Sequence, residues 1–205
     1  MIRRLLTLLA CLATFGLAST ARADIDVFIN FDVDPNGMPL ESPAVINEVY
    51  AVWGVTFGST PGASCGAGEV YATSACLSDP APTSPPNIVS HCAGCTDISE
   101  DAHGLVVATF TTPADSVCLT SIGTDPGERG VLRAYDADHI LLAESIANPE
   151  LLSVVLCVAA PAIHSVEFSG YQDEFVWFDD MQVSLAPVAV VPVTWGGIKA
   201  RVGGE

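Results

Sequence analysis

Positive charge is what this sequence has least of. Its 205 residues carry seven Lys and Arg against 24 Asp and Glu, a formal net charge of −17. So few bases cannot build a phosphate-neutralising patch, which argues against nucleic acid or an anionic membrane as a partner. Past the N-terminus, long hydrophobic runs are missing too. Residues 151–163 are apolar but too short to span a bilayer, and Pro161 interrupts them. There is no internal repeat. The histidines His103, His139 and His164 are scattered, with no HExxH or related spacing, and read as strand-end or surface side chains rather than ligands or bases.

What the chain does have begins with an export signature. Met1-Ile2-Arg3-Arg4 is a basic start, residues 5–17 are an apolar core, and Ala21-Arg22-Ala23 has the small-x-small form of a cleavage site. Residues 1–23 are therefore expected to be a signal peptide. Cleavage leaves 182 residues with four bases and 24 acids, a charge of −20, enough chain for one domain with its own core. The mature chain has no transmembrane anchor in this reading and is expected to be secreted or held in the cell envelope. Cys11 departs with the signal, leaving six cysteines: Cys65, Cys76, Cys92, Cys95, Cys118 and Cys157. An even number in an exported chain implies disulfides, with fifteen possible pairings. Local pairing is expected, Cys65–Cys76, Cys92–Cys95 and Cys118–Cys157. The last would staple two strands, because each cysteine lies in an apolar run (SVCLTSI and SVVLCVA).

Alternation of apolar and polar residues then sets the fold. In residues 25–31, Val27, Ile29 and Phe31 share one side, with Asp26, Phe28 and Asn30 on the other. Ser42-Pro43 suggests a helix start, and Ala44, Val45, Glu48, Val49 and Val52 a short helix stopping at Gly54. Residues 55–57 resume strand. Residues 58–101 form a Cys- and Pro-rich insertion with short strands near 69–72 and 87–89. Strand patterns return at 104–111, 116–122, 130–136, 140–146 and 151–159. A final pair, within 163–185, is joined by a polar turn and closes the sheet. There Phe175, Trp177, Asp179, Met181, Val183 and Leu185 fall on one face and Asp180 on the other. The expected architecture is all-β, an antiparallel jelly-roll β-sandwich over residues 24–186 with one short helix, followed by a tail over 187–205.

Several motifs invite chemistry. Asp32-x-Asp34-x-Asn36-Gly37 places oxygen ligands at alternate positions with Gly at a sharp turn, like the first half of a calcium loop. Its twelfth position is Pro43 rather than Glu, and the same residues also suit an ordinary turn. Asp179 is a second metal candidate, because a carboxylate among core positions needs a partner. If first and last strands lie close, Asp32 and Asp179 or Asp180 would share one ion. Gly62-Ala63-Ser64-Cys65-Gly66 matches G-x-S-x-G, but without the strand and helix that a nucleophile elbow needs. His91-Cys92-Ala93-Gly94-Cys95 lacks the second ligand pair of a zinc site and reads as a disulfide segment. Among Tyr71, Tyr135, Tyr171, Trp53 and Trp177, Tyr171 lies in the polar turn and is the candidate sugar platform. Trp53 and Trp177 fall at core positions.

The order INFD (29–32), EVYAVWGVTF (48–57), VLRAYDADHILLAE (131–144) and SVEFSG…EFVWFDDMQVS (165–184) resembles secreted bacterial jelly-roll domains similar to galactose-binding and carbohydrate-binding-module sandwiches. The resemblance spans most of 25–185 outside the insertion. It implies an all-β jelly roll, often with a structural calcium and in some members glycan binding. The matching motifs are structural, so no binding residue carries over, and fold does not establish function. The expectation is a non-catalytic binding module, possible partners being a glycan or an extracellular protein. The alternative is a structural or interaction protein of the envelope or matrix with no small ligand.

Overall fold

A computed structural model describes residues 25–60, 68–74, 83–91, 104–123, 125–172 and 174–186. They belong to one compact unit, Asp24–Pro187. The expected signal peptide, the tail, the G-x-S-x-G segment, His103 and Cys65, Cys76, Cys92 and Cys95 lie outside the described residues.

Ten strands make up the described fold: β1 (Ile25–Ile29), β2 (Ala44–Val45), β3 (Val55–Ser59), β4 (Tyr71–Thr73), β5 (Ile88–Ser90), β6 (Val106–Gly123), β7 (Gly130–Tyr135), β8 (Leu141–Ile146), β9 (Ser153–Gly170) and β10 (Val176–Leu185). All the pairings are antiparallel, in the order β2-β4-β5-β10-β6-β9-β7-β8, with β1 joined to β10 and β3 to β6. The all-β sandwich expected from alternation is the fold observed.

Two pairs of expected strands are each one long strand. Segments 104–111 and 116–122 merge into the 18-residue β6, and 151–159 merges with the strand after Ile163 into the 18-residue β9. The sequence suggested breaks because Pro113 and Pro161 lie between the halves. The prolines instead mark corners, which their missing N–H permits where ladder bonds are already lost. The β6–β9 register shifts on both sides of Ala114, and Ala162 takes a φ of 60°. Before the corner β6 pairs with β3, and beyond it with β10. One layer therefore holds β3, the first half of β6, the second half of β9, β7 and β8. The other holds β1, β10 and the remaining halves. Their inner faces supply one core that includes Phe31, Phe57, Leu119, Leu132, Leu156, Phe168 and Phe178.

The expected helix is reduced to a single 3-10 turn, Ala51–Trp53. Ala44 and Val45, read as its start, pair with Ala72 and Tyr71 of β4, and the amide of Ile46 donates to the carbonyl of Val70. A helix this short has little to offset its nucleation cost, whereas β-branched residues beside an open strand gain ladder bonds. Gly54 does end the turn, in the left-handed region at φ 80°.

β10 departs from strict alternation. Its register with β6 shifts between Asp179 and Met181, where Asp180 has a φ of 46°. This bulge reverses the parity. Val176 and Phe178 join Met181, Val183 and Leu185 in the main core, while Trp177 packs in a separate cluster with Ile88 and Ile122, and Phe175 is part-exposed. The continuous face from Phe175 to Leu185 expected from sequence is thus broken at Asp180. Cys118 and Cys157 lie opposite each other in the β6–β9 ladder and form the expected disulfide.

Candidate functional site

The end of β1, the bulge of β10 and the segment before β5 meet in an acidic junction. Phe31, at φ 60°, turns the chain as β1 ends, and Asp180 does the same within β10. Non-Gly residues at positive φ are uncommon, more so when bulky. Here they bring Asp32, Asp179 and Asp180 around one serine. The hydroxyl of Ser84 donates to Asp180 Oδ1 at 2.7 Å, and lies 3.2 and 3.3 Å from the two oxygens of Asp179. The Ser84 amide donates to Asp179 Oδ2 at 2.8 Å. The Thr83 hydroxyl reaches Asp179 and Asp180 at 2.9 and 2.8 Å. The amide of Asn87 donates to Asp32 Oδ1 at 2.8 Å.

Asp179 is fully buried. Burial pushes its carboxyl up to about 6, opposed by the Ser84 amide and reinforced by the negative charge of Asp180. Asp32 is also raised, first by burial, with the Asn87 amide opposing and Asp180 adding to the effect. Among the described residues, no Lys, Arg or His figures among the groups acting on either carboxyl. Beside them Asn87 is buried; its Nδ2 donates to the Phe31 and Leu40 carbonyls, while among the described residues its Oδ1 has no hydrogen-bond partner. Among the described residues, no group of three or more His, Cys, Asp or Glu is arranged to hold a metal ion as it stands.

The other two members of the expected calcium loop are used locally. Asp34 Oδ1 accepts from the amides of Asn36 and Met38, both at 2.8 Å, closing a turn that Gly37 enters at φ 78°. The Met38 amide, foremost, holds the Asp34 carboxyl below its usual range. Asp34 and Asn36 thus belong to a hydrogen-bonded turn, while Asp32 belongs to the junction.

A second feature was not evident from sequence. A cavity of about 310 Å³ is lined by Asp26, Val27, Phe28 and Trp53. The alternation of β1 turns Phe28 outward, 58% exposed, while Val27 and Ile29 enter the core. Asp26 shares the outward face, and its Oδ1 accepts the Ser184 hydroxyl at 2.6 Å. Trp53 is only partly buried; its indole stacks on Tyr50, with centroids 5.7 Å apart. The outward parity of Phe28 and Asp26 was readable, but their meeting with Trp53 depends on the 3-10 turn.

The remaining candidates are dispersed. The ring of Tyr171 lies under the Arg129 guanidinium, 4.5 Å from centroid to Cζ, and Arg129 in turn pairs with Glu174 at 2.7 Å. Tyr135 stacks with His139 at 4.4 Å, and His139 Nε2 is 3.6 Å from Glu167. The Tyr71 hydroxyl donates to Glu69. His91 is buried, and Trp177 lies in its small cluster.

No protein-family profile matches the chain, and no curated protein matches it. Among solved structures it is similar to the K2 cleaved adhesin domain of Lys-gingipain, with 16% identity, a TM-score of 0.46, and coverage of 78% of this chain and 98% of that one. It is also similar to a variant family 29 carbohydrate-binding module complexed with mannohexaose, with 11% identity, a TM-score of 0.35, and coverage of 79% and 92%. Another structure of that module family has 10% identity and a TM-score of 0.32, covering 78% of this chain and 89% of its own. Among the described residues, no helix is long and apolar enough to cross a membrane.

Proposed function

We propose that the chain is a secreted, non-catalytic binding module whose ligand is a glycan. The observation that carries this reading is the open cavity between Phe28 and Trp53, with the Asp26 carboxylate beside it. A sugar ring has apolar C–H faces and hydroxyl edges. Aromatic side chains bury the first and a carboxylate accepts hydrogen bonds from the second. Among the described residues one carboxylate lines the cavity, whereas most glycoside hydrolysis uses two flanking the bond, so this reading assigns it no catalytic step. Tyr171, backed by Arg129, is a further candidate contact. The test is a glycan-array screen with the native chain, Phe28→Ala and Trp53→Ala. Each substitution is expected to weaken the captured glycan about tenfold, the scale of a lost aromatic contact. Glycan binding indifferent to both changes would sink the assignment.

A structural calcium is the second part of the proposal. Asp32, Asp179 and Asp180 would hold it, and it would supply a countercharge that no described Lys, Arg or His provides at the junction. Hard oxygen donors of this kind suit calcium, and the unpartnered, buried Oδ1 of Asn87 beside them supports it. Thermal unfolding in EDTA and then in calcium tests this. A rise in Tm is expected with calcium, lost in Asp180→Asn; no rise would remove calcium from the proposal.

An interaction protein without a small ligand is favoured by one observation. Among the described strands the outer strand β8 pairs with β7 alone and, with its flanks, exposes Ile140, Leu141, Leu142 and Ile146. Such an edge is a template for another chain. Sedimentation of the native chain against Leu142→Glu separates the cases, since only an edge-paired assembly would dissociate on the change.

A further inference from the structure

We infer that the cavity beside β1 selects a cationic amino sugar, a ring bearing a protonated amine, over neutral and acidic sugars; this rests on the glycan reading above. Of the described lining residues only Asp26 is charged. Its Oδ1 is held by the Ser184 hydroxyl, and among the described residues no hydrogen bond reaches its Oδ2. The carboxylate is therefore oriented, yet keeps an oxygen for a ligand donor. Phe28 follows two residues along the same face of the strand, so the Cα atoms that carry the ring and the carboxylate lie about 7 Å apart. A sugar ring resting on Phe28 or Trp53 can then extend a substituent to Asp26. Aromatic faces carry negative potential and attract a nearby ammonium, with an oriented carboxylate adding to the pull.

The surroundings act in the same sense. Among the described residues no base lines the cavity, and the described Arg residues are ion-paired elsewhere, Arg129 to Glu174 and Arg133 to Glu144. A uronic or sulfated sugar would meet Asp26 with no countercharge. The acidic chain as a whole, at −17, draws cations towards its surface and repels anions. A neutral sugar retains the stacking but gains no ion pair.

The test is calorimetric titration of the full chain, at about pH 6 where an amine is protonated, with a glucosamine tetramer and its fully N-acetylated counterpart. The free amine is expected to bind about fivefold tighter, the scale of one exposed ion pair, and added salt should narrow the gap. Asp26→Asn should bring the two affinities together, weakening the free-amine oligomer more than the N-acetylated one. Phe28→Ala should weaken both. Equal affinities in the native chain, or a preference that persists in Asp26→Asn, would overturn the amine assignment and leave the cavity as a sugar site. If neither oligomer binds while a neutral glycan from the array does so through Phe28, the amine assignment fails alone. If no glycan binds, the glycan reading fails and takes this inference with it.

Discussion

Consider the stability of the native chain and of Asp179→Asn, measured by urea unfolding from about pH 4 to pH 7, without metal. Asp179 is fully buried, and its carboxyl is raised from 3.8 to about 6 in the fold. Between those values the folded protein holds a proton that the unfolded chain has released. Stability from this group is therefore fully present below the unfolded value and is lost as pH rises through the folded one. The gap is about two pH units, and at 1.36 kcal/mol per unit the loss approaches about 3 kcal/mol. Repulsion among the other carboxylates grows over the same range, so the native curve alone does not isolate Asp179. The difference between native and Asp179→Asn does. The amide keeps an oxygen for the Ser84 N–H, and the hydroxyls of Thr83 and Ser84 can rotate to accept from its nitrogen. The native chain should lose about 3 kcal/mol relative to the variant as pH rises through the window. Saturating calcium should flatten that difference if the ion sits at the junction. A flat difference without metal, or a native chain that gains on the variant with rising pH, would refute the argument that Asp179 is desolvated without a countercharge.

Three further outcomes are expected. Gly54→Ala should cost about 1–2 kcal/mol for the left-handed backbone, and more because a Cβ there would lie 2.9 Å from Thr111 Oγ1; chemical denaturation measures both, and Thr111→Ala in the same chain should recover the contact part alone. Replacing Cys118 and Cys157 together by Ala should lower the urea-derived stability by about 4 kcal/mol on the chain-entropy account, given their separation of 39 residues. Tyr50→Phe removes a hydroxyl that donates to the Val33 carbonyl at 3.0 Å, and a loss of about 1 kcal/mol in unfolding free energy is expected; no loss would mean that water replaces the bond.

Much of the framework was legible because strand alternation is a local signal. Val27, Ile29 and Phe31 are buried and Phe28 is exposed, as the pattern of residues 25–31 indicates. Cys118 and Cys157 sit in apolar runs that face each other in the ladder. The failures share a physical cause. Pro113 and Pro161 end strands by local rules, but neighbouring strands hold the backbone extended on both sides of them. The bulge at Asp180 follows no repeat, so one parity counted through it from Met181 back misplaces Phe175 and Trp177. Of the acidic junction, the approach of Asp32 to Asp179 and Asp180 was foreseen from the closeness of first and last strands. The roles of Thr83 and Ser84 were not, because they lie in a Pro-rich stretch with no periodicity. The cavity at Phe28 was hidden for a related reason: its other wall, Trp53, is set by a turn that the sequence presented as a helix.

The pairing of β1 with β10, Ile25 opposite Leu185, also sets when the molecule can become complete. The central ladder of β10 runs against β6, and its far edge receives β1, so the residues that join the sheet's middle to its beginning leave the ribosome after every other described strand. Until residues 176–185 emerge, β1 has no described neighbour to pair with, and the junction lacks two of its three carboxylates. Closing contacts of this sequence separation are slow to form. A nascent chain therefore has no described partner for its first strand until its last described strand has been made, so β1 cannot take its native place while the strands between them are still emerging.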